Sequence, residues 1–214
     1  GGPTSDRTSV LAFIDEAAGD AASYLGFTTV RPLRHAPVGA TIVATLENKP
    51  TLCKDVFPVH IAGTAFEVTG TPYLQQDNAV GACAQASIWM ALRTIRKRSG
   101  NSAYSPAELT LSATRYLSLD RVFPGRKGLT IQQMVAAITA SDHDPLVIQL
   151  AEPPRRASAD HVIQQALPYL DSGLPVILGL MHPKSGGHAV VAIGVNAGHQ
   201  NHLPDGLLIH NDNR

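Results

Sequence analysis

The clearest periodicity of apolar residues falls in the middle of the chain. Over residues 82–98, Ile88, Leu92 and Ile95 recur at i, i+4 and i+7, which is one face of a helix. Arg93, Arg96, Lys97 and Arg98 crowd its end, where cations suit the negative pole of the helix dipole; the simplest reading is a solvated helix end. Ser105-Pro106-Ala107-Glu108 and Thr130-Ile131-Gln132-Gln133 are capping boxes, the first with proline at the first helical position, and each predicts a helix start. Residues 160–172 predict a fourth helix, with Ile163, Leu167 and Leu170 inward and Gly173 ending it. Pro168 inside that span predicts a kink. The apolar runs then shorten to strand length, at residues 174–180, 188–195 and 207–210. Helices followed by clustered strands predict an α+β domain rather than alternating βαβ units.

Residues 1–70 read differently. The alanine-rich stretch 11–25 predicts a short helix. Pro32, Pro37, Pro50 and Pro58 punctuate the stretch after it, with β-prone runs at 40–46, 56–61 and 64–68. The chain therefore divides into a partly β extension, residues 1–71, and a domain over residues 72–214.

Composition narrows the class. The 214 residues suffice for a buried core, and 44% hydrophobic against 16% charged residues excludes a disordered chain. Lys plus Arg total 17, as do Asp plus Glu, so no surplus positive charge exists to meet phosphate. Neither nucleic acid nor a membrane is expected as a partner. No apolar run approaches the roughly 20 residues of a membrane helix, and no signal peptide is evident. A soluble, cytoplasmic protein is expected, secretion being the alternative. Cys53 and Cys83 make neither a disulfide framework nor a zinc cage. His199 and His202 lie close in sequence, but no HExxH motif or helically spaced carboxylate accompanies a histidine pair, so neither a metal nor another cofactor is expected. The absence of GxSxG and GxxxxGK[ST] argues against a serine hydrolase and a P-loop nucleotidase. Trp89 reads as a core residue.

The candidate chemistry lies in a chain order. Cys83 stands in the first turn of the strongest helix, where N–H groups and the dipole favour a thiolate over a thiol. Taken alone, it reads more readily as a buried free cysteine. His188 opens a strand after paired glycines, placed to take and return a proton, or equally a structural histidine. Asn211 and Asp212 follow the next strand, where either orients an imidazole or simply ends the strand. Gln75 and Gln76 precede the cysteine by eight and seven residues, and one is a candidate donor to an oxyanion.

The order Gln, Cys at a helix start, His at a strand start, and Asn or Asp at the next strand end resembles the papain-like cysteine peptidases. The segments Tyr73-Leu74-Gln75-Gln76 through Gly81-Ala82-Cys83-Ala84-Gln85, Gly187-His188-Ala189-Val190-Val191 and Ile209-His210-Asn211-Asp212 resemble the bacterial branch that includes the bacteriocin-processing C39 peptidases. The likeness covers roughly residues 72–214. It implies a nucleophile helix packed on an antiparallel sheet. It also implies a catalytic triad: Cys83 as nucleophile, His188 as general base and acid, and Asn211 as orienter, with Asp212 competing. Gln76 becomes the oxyanion donor, although the family's glutamine stands six residues before the cysteine, where this chain has Asp77. The family's flanking disulfide has no counterpart. The chain stops at Arg214, where such folds continue, so a truncated or processed domain is expected. The implied activity is a thiol protease, a hydrolase acting on a peptide or protein substrate. The alternatives are a deamidase or acyltransferase using the same pair, or a papain-like frame kept only for binding. Residues 1–71 are then a propeptide or a substrate-docking extension.

Overall fold

The computed structural model describes residues 8–14, 24–45, 50–76, 82–115, 128–151, 155–182, 186–196 and 204–212. Gly81, Asp77, His199 and His202, singled out above, lie outside them, as does the end of the 40–46 run. The described elements are mixed α+β: five strands, four helices, then three strands.

The N-terminal strands are β1 (Ser9–Ile14), β2 (Tyr24–Val30), β3 (Val38–Ala44), β4 (Asp55–Ile61) and β5 (Thr64–Tyr73), in one antiparallel sheet ordered β1-β2-β3-β5-β4. The helix expected over 11–25 is not formed where the chain is described: its two ends are strands, and β1 pairs with β2 from Ser9↔Val30 to Ile14↔Tyr24. Of the alanines that suggested a helix, Ala12 lies in β1, and Ala17, Ala18, Ala21 and Ala22 lie in 15–23, outside the described residues. Val10, Leu11, Phe13 and Ile14, by contrast, are β-branched or bulky and suit a pleated ladder. Tyr24, Ile42, Phe57 and Val68 form a small core on this sheet.

Helix α1 (Cys83–Arg98) begins one residue after the predicted start. Its run from Ala84 to Leu92 is buried on every side, which makes it the central element of the main core. Helices α2 (Pro106–Thr114) and α3 (Ile131–Thr139) start at the two capping boxes, with both reciprocal hydrogen bonds present in each. Helix α4 (Ala159–Asp171) is capped by Ser158 and continues through Pro168. Gly173 ends it at φ +73°, the left-handed conformation that suits glycine, and its N–H bonds the Leu170 carbonyl. Strands β6 (Val176–His182), β7 (Gly186–Asn196) and β8 (Gly206–His210) form the second antiparallel sheet, with β7 central. Both α1 and α4 pack on β7, whose residues Ala189–Val195 are buried throughout. That explains why the strand reads as one apolar run rather than an alternation.

The basic end of α1 is solvated only in part: Arg98 is exposed, but Arg96 is not. Arg96 is buried; its guanidinium donates to the carbonyls of Ser102 (2.6 Å) and Ser141 (2.8 Å) and stacks on Tyr104. Lys97 pairs with Asp55 at 3.1 Å, and Arg98 reaches the carbonyls of Gly173 and Lys54. Passing loops supply carbonyls at a helix end, so cations there become ties between segments.

Residues 50–53 tie the N-terminal part to β7. Leu52 and Cys53 donate to the Ile193 carbonyl, Val195 donates to that of Pro50, and Thr51 bridges Gly194. Gly194 is required by this approach, since an added Cβ would lie 2.3 Å from the Pro50 oxygen. Gly194→Ala is expected to cost about 2 kcal/mol by forcing the two segments apart. An unchanged urea midpoint would contradict this close approach.

Candidate active site

Two polypeptide segments meet at the amino end of α1. One runs from the end of β5 through Leu74, Gln75 and Gln76; the other leaves β8 at Asn211 and Asp212. The Gln76 N–H donates to the Asp212 carbonyl at 3.2 Å, fixing the two backbones together. His210, the last residue of β8, reinforces the join. Its Nδ1 lies 3.1 Å from the Pro72 carbonyl, so Nδ1 carries the proton, and Nε2 accepts from the Thr71 hydroxyl at 3.2 Å. Burial holds this imidazole neutral, lowering its pKa to about 4. The Tyr73 hydroxyl donates to the Asn211 carbonyl at 3.3 Å.

His188 sits near the start of β7, half-buried. Its Nε2 lies 3.1 Å from Asn211 Oδ1 and 3.7 Å from Asp212 Oδ1. Asn211 is thus within hydrogen-bonding distance and Asp212 just outside it. The bond to Asn211 Oδ1 needs the proton on Nε2, which leaves Nδ1 as the acceptor nitrogen of the neutral ring. Asp212 is fully buried, and among the described residues no side chain donates a hydrogen bond to its carboxylate. Burial raises its pKa to about 7, against the lowering effect of His188.

Cys83 is half-buried and lies beside the residue that follows His188: the Ala189 N–H is directed at its sulfur. The thiolate expected from the helix end is not the resting state. The N–H groups of Ala189, Ala84 and Cys83 do lower the thiol pKa. Burial outweighs them, and the charge of Asp212 adds to the rise. Three N–H groups do not replace the water lost when α1 packs against β7. Cys53, the other cysteine, is fully buried with its pKa pushed up to about 11.

The fold therefore brings Cys83, His188, Asn211 and Asp212 to one place, with the buried Gln76 on the adjoining segment. Gln75, the other glutamine considered, is held by partners outside this cluster. Its Oε1 accepts from the Val38 N–H and its carbonyl from Arg31, so it anchors β3 to the segment. Tyr73, Thr71 and His210 had no sequence signal as parts of the site, because their roles arise from pairing between distant segments. Among the described residues no group of three or more His, Cys, Asp or Glu is placed to hold a metal ion, and no helix is long and apolar enough to cross a membrane. In comparisons with known proteins, no family model, no curated protein and no solved structure matches the chain.

Proposed function

We propose that this chain is a papain-like cysteine peptidase, a thiol-dependent hydrolase of peptide or amide bonds. The observation that carries the reading is the single cluster of a helix-end cysteine, a histidine whose Nε2 is engaged by Asn211, and the Ala189 N–H at the sulfur. Because burial keeps the thiol protonated, the nucleophile is made on demand. His188 Nδ1 takes the proton from Sγ as sulfur bonds the substrate carbonyl carbon. The electron pair of that carbonyl moves onto oxygen, where the Gln76 amide and backbone N–H groups at the start of α1 are suited to receive it. His188 then passes its proton to the amide nitrogen, the C–N bond breaks, and an acyl-enzyme on Cys83 remains. Water, deprotonated by His188, releases the acid and restores the thiol. Asn211 holds the ring, and the Asp212 charge favours the imidazolium that forms beside it.

The test is alkylation by iodoacetamide followed by peptide mass spectrometry, between about pH 5 and 9. Cys83 is expected to label well ahead of Cys53. Its raised pKa predicts a rate that climbs with pH through neutrality, with no plateau below it. His188→Ala should slow labelling at neutral pH. Asp212→Asn should speed it above about pH 7, where the wild-type carboxylate is charged and opposes the thiolate. A Cys83 that stays inert in the folded protein would sink the enzyme reading and favour a frame that only binds.

A further inference from the structure

Beside the candidate triad, an open cleft of about 300 Å³ lies between the start of α1, the start of α2 and the segment after β5. It begins next to the nucleophile. Ala82, the chain neighbour of Cys83, lines it, and so does Gln76. Leu74, Ala86 and Pro106 give it apolar sides. Two further groups make it chemically specific.

The first is Gln85, which lines the cleft with only 5% of its surface exposed. Its Oε1 is buried and has no hydrogen-bond partner among the described residues. Buried polar atoms are ordinarily paired, so the Gln85 carboxamide in the cleft wall is suited to take up a polar group that enters and reaches it. Turning the Gln85 amide over would present N–H groups instead and call for an acceptor. A carboxamide carries both and fits either orientation. The second group is Arg31, whose Nη2 is held by the carbonyls of Val38 (2.9 Å) and Gln75 (2.8 Å). A fixed cation in the wall disfavours lysine and arginine side chains as donors. An apolar side chain would leave Gln85 unpaired, a carboxylate would match only the turned-over amide, and a hydroxyl is short for the space.

We infer that this cleft is a specificity pocket that receives a glutamine or asparagine side chain of the substrate, next to the bond attacked by Cys83. The inference rests on the thiol-enzyme reading and adds a substrate class to it. The side chain held here is not the amide that is cleaved: it anchors the peptide while the carbonyl to be attacked lies over Cys83.

The experiment uses the whole chain and a peptide pool varied at every position, with cleavage products identified by mass spectrometry. Cys83 alkylation is followed in parallel. The wild-type protein is expected to enrich glutamine or asparagine about tenfold at one position beside the cleaved bond. In Gln85→Leu the preference at that position should pass to leucine or methionine. In Ala107→Trp, a cleft-filling change at an exposed position of α2, it should pass to glycine or alanine; this variant decides the matter if Gln85→Leu does not fold. Selective labelling of Cys83 with no amide preference, with no cleavage of amide-bearing peptides, or with a preference that both variants leave untouched overturns the pocket and leaves the thiol reading standing. An inert Cys83 removes the thiol reading itself, and the pocket with it.

Discussion

His188→Ala is expected to lower kcat/KM for amide hydrolysis by about a thousandfold while leaving the fold intact. The size follows from the state of the thiol. An enzyme whose cysteine rests as a thiolate keeps part of its nucleophile when the histidine is lost. Here burial and the Asp212 charge hold the thiol protonated, so the base is needed both to form the nucleophile and to protonate the leaving nitrogen. The fold should survive because His188 is half-buried near the start of β7, and its contacts with Asn211 and Asp212 lie outside the main core. Asn211→Ala should cost less, about tenfold, since the ring keeps its place on β7 and loses only the partner at 3.1 Å. Cys83→Ala should be inactive. Matched urea midpoints with separated kcat/KM values establish the ranking; a His188→Ala protein retaining a tenth of wild-type activity would refute general-base activation.

Local signals in the sequence reached far, and non-local ones did not. The capping boxes at Ser105 and Thr130 lie within four residues and need no partner, so both helix starts were legible. The chain order of Cys83, His188 and Asn211 was legible for the same reason: each stands at an element end whose pattern is local. The strands β1 and β2 were hidden because their stability comes from pairing with each other, while the alanines between them imitate a helix. The ties made by Arg96 and Arg98 depend on carbonyls of loops that arrive from elsewhere in the chain. The protonated thiol was hidden in the same way. The helix end is visible in sequence, whereas the burial by β7 and the Asp212 charge that overrule it are not. The Gln85 cleft likewise exists only once Arg31, α1 and α2 converge.

The two ionisable neighbours on the β8 exit should impose opposite pH dependences on stability. Asp212 has its pKa raised from 3.8 to about 7 in the fold. The folded state therefore binds its proton more tightly than the unfolded chain. The stability this gives is complete below about pH 4 and lost as pH rises through 7, about 4 kcal/mol in all. His210 runs the other way. Its pKa falls from 6.5 to about 4, so its contribution is complete above about pH 6.5 and is lost as pH falls toward 4, about 3 kcal/mol in all. Between those limits the two largely cancel, and the wild-type protein should lose stability mainly as pH passes from about 6.5 to 7.5. Single substitutions separate them. Asp212→Asn should become more stable with rising pH up to about 6.5 and then stay level. His210→Gln, which keeps a donor for Pro72 and an acceptor for Thr71, should lose stability steadily from about pH 4 to 7. Urea unfolding free energies at a series of pH values read this directly, because titrating groups remote from Asp212 and His210 contribute alike to all three proteins and drop out of the differences. Parallel curves would mean that neither group is held as the fold implies. Divergent curves would mean that the site carries its buried carboxylate at a cost to stability in the pH range where its charge supports the His188 imidazolium.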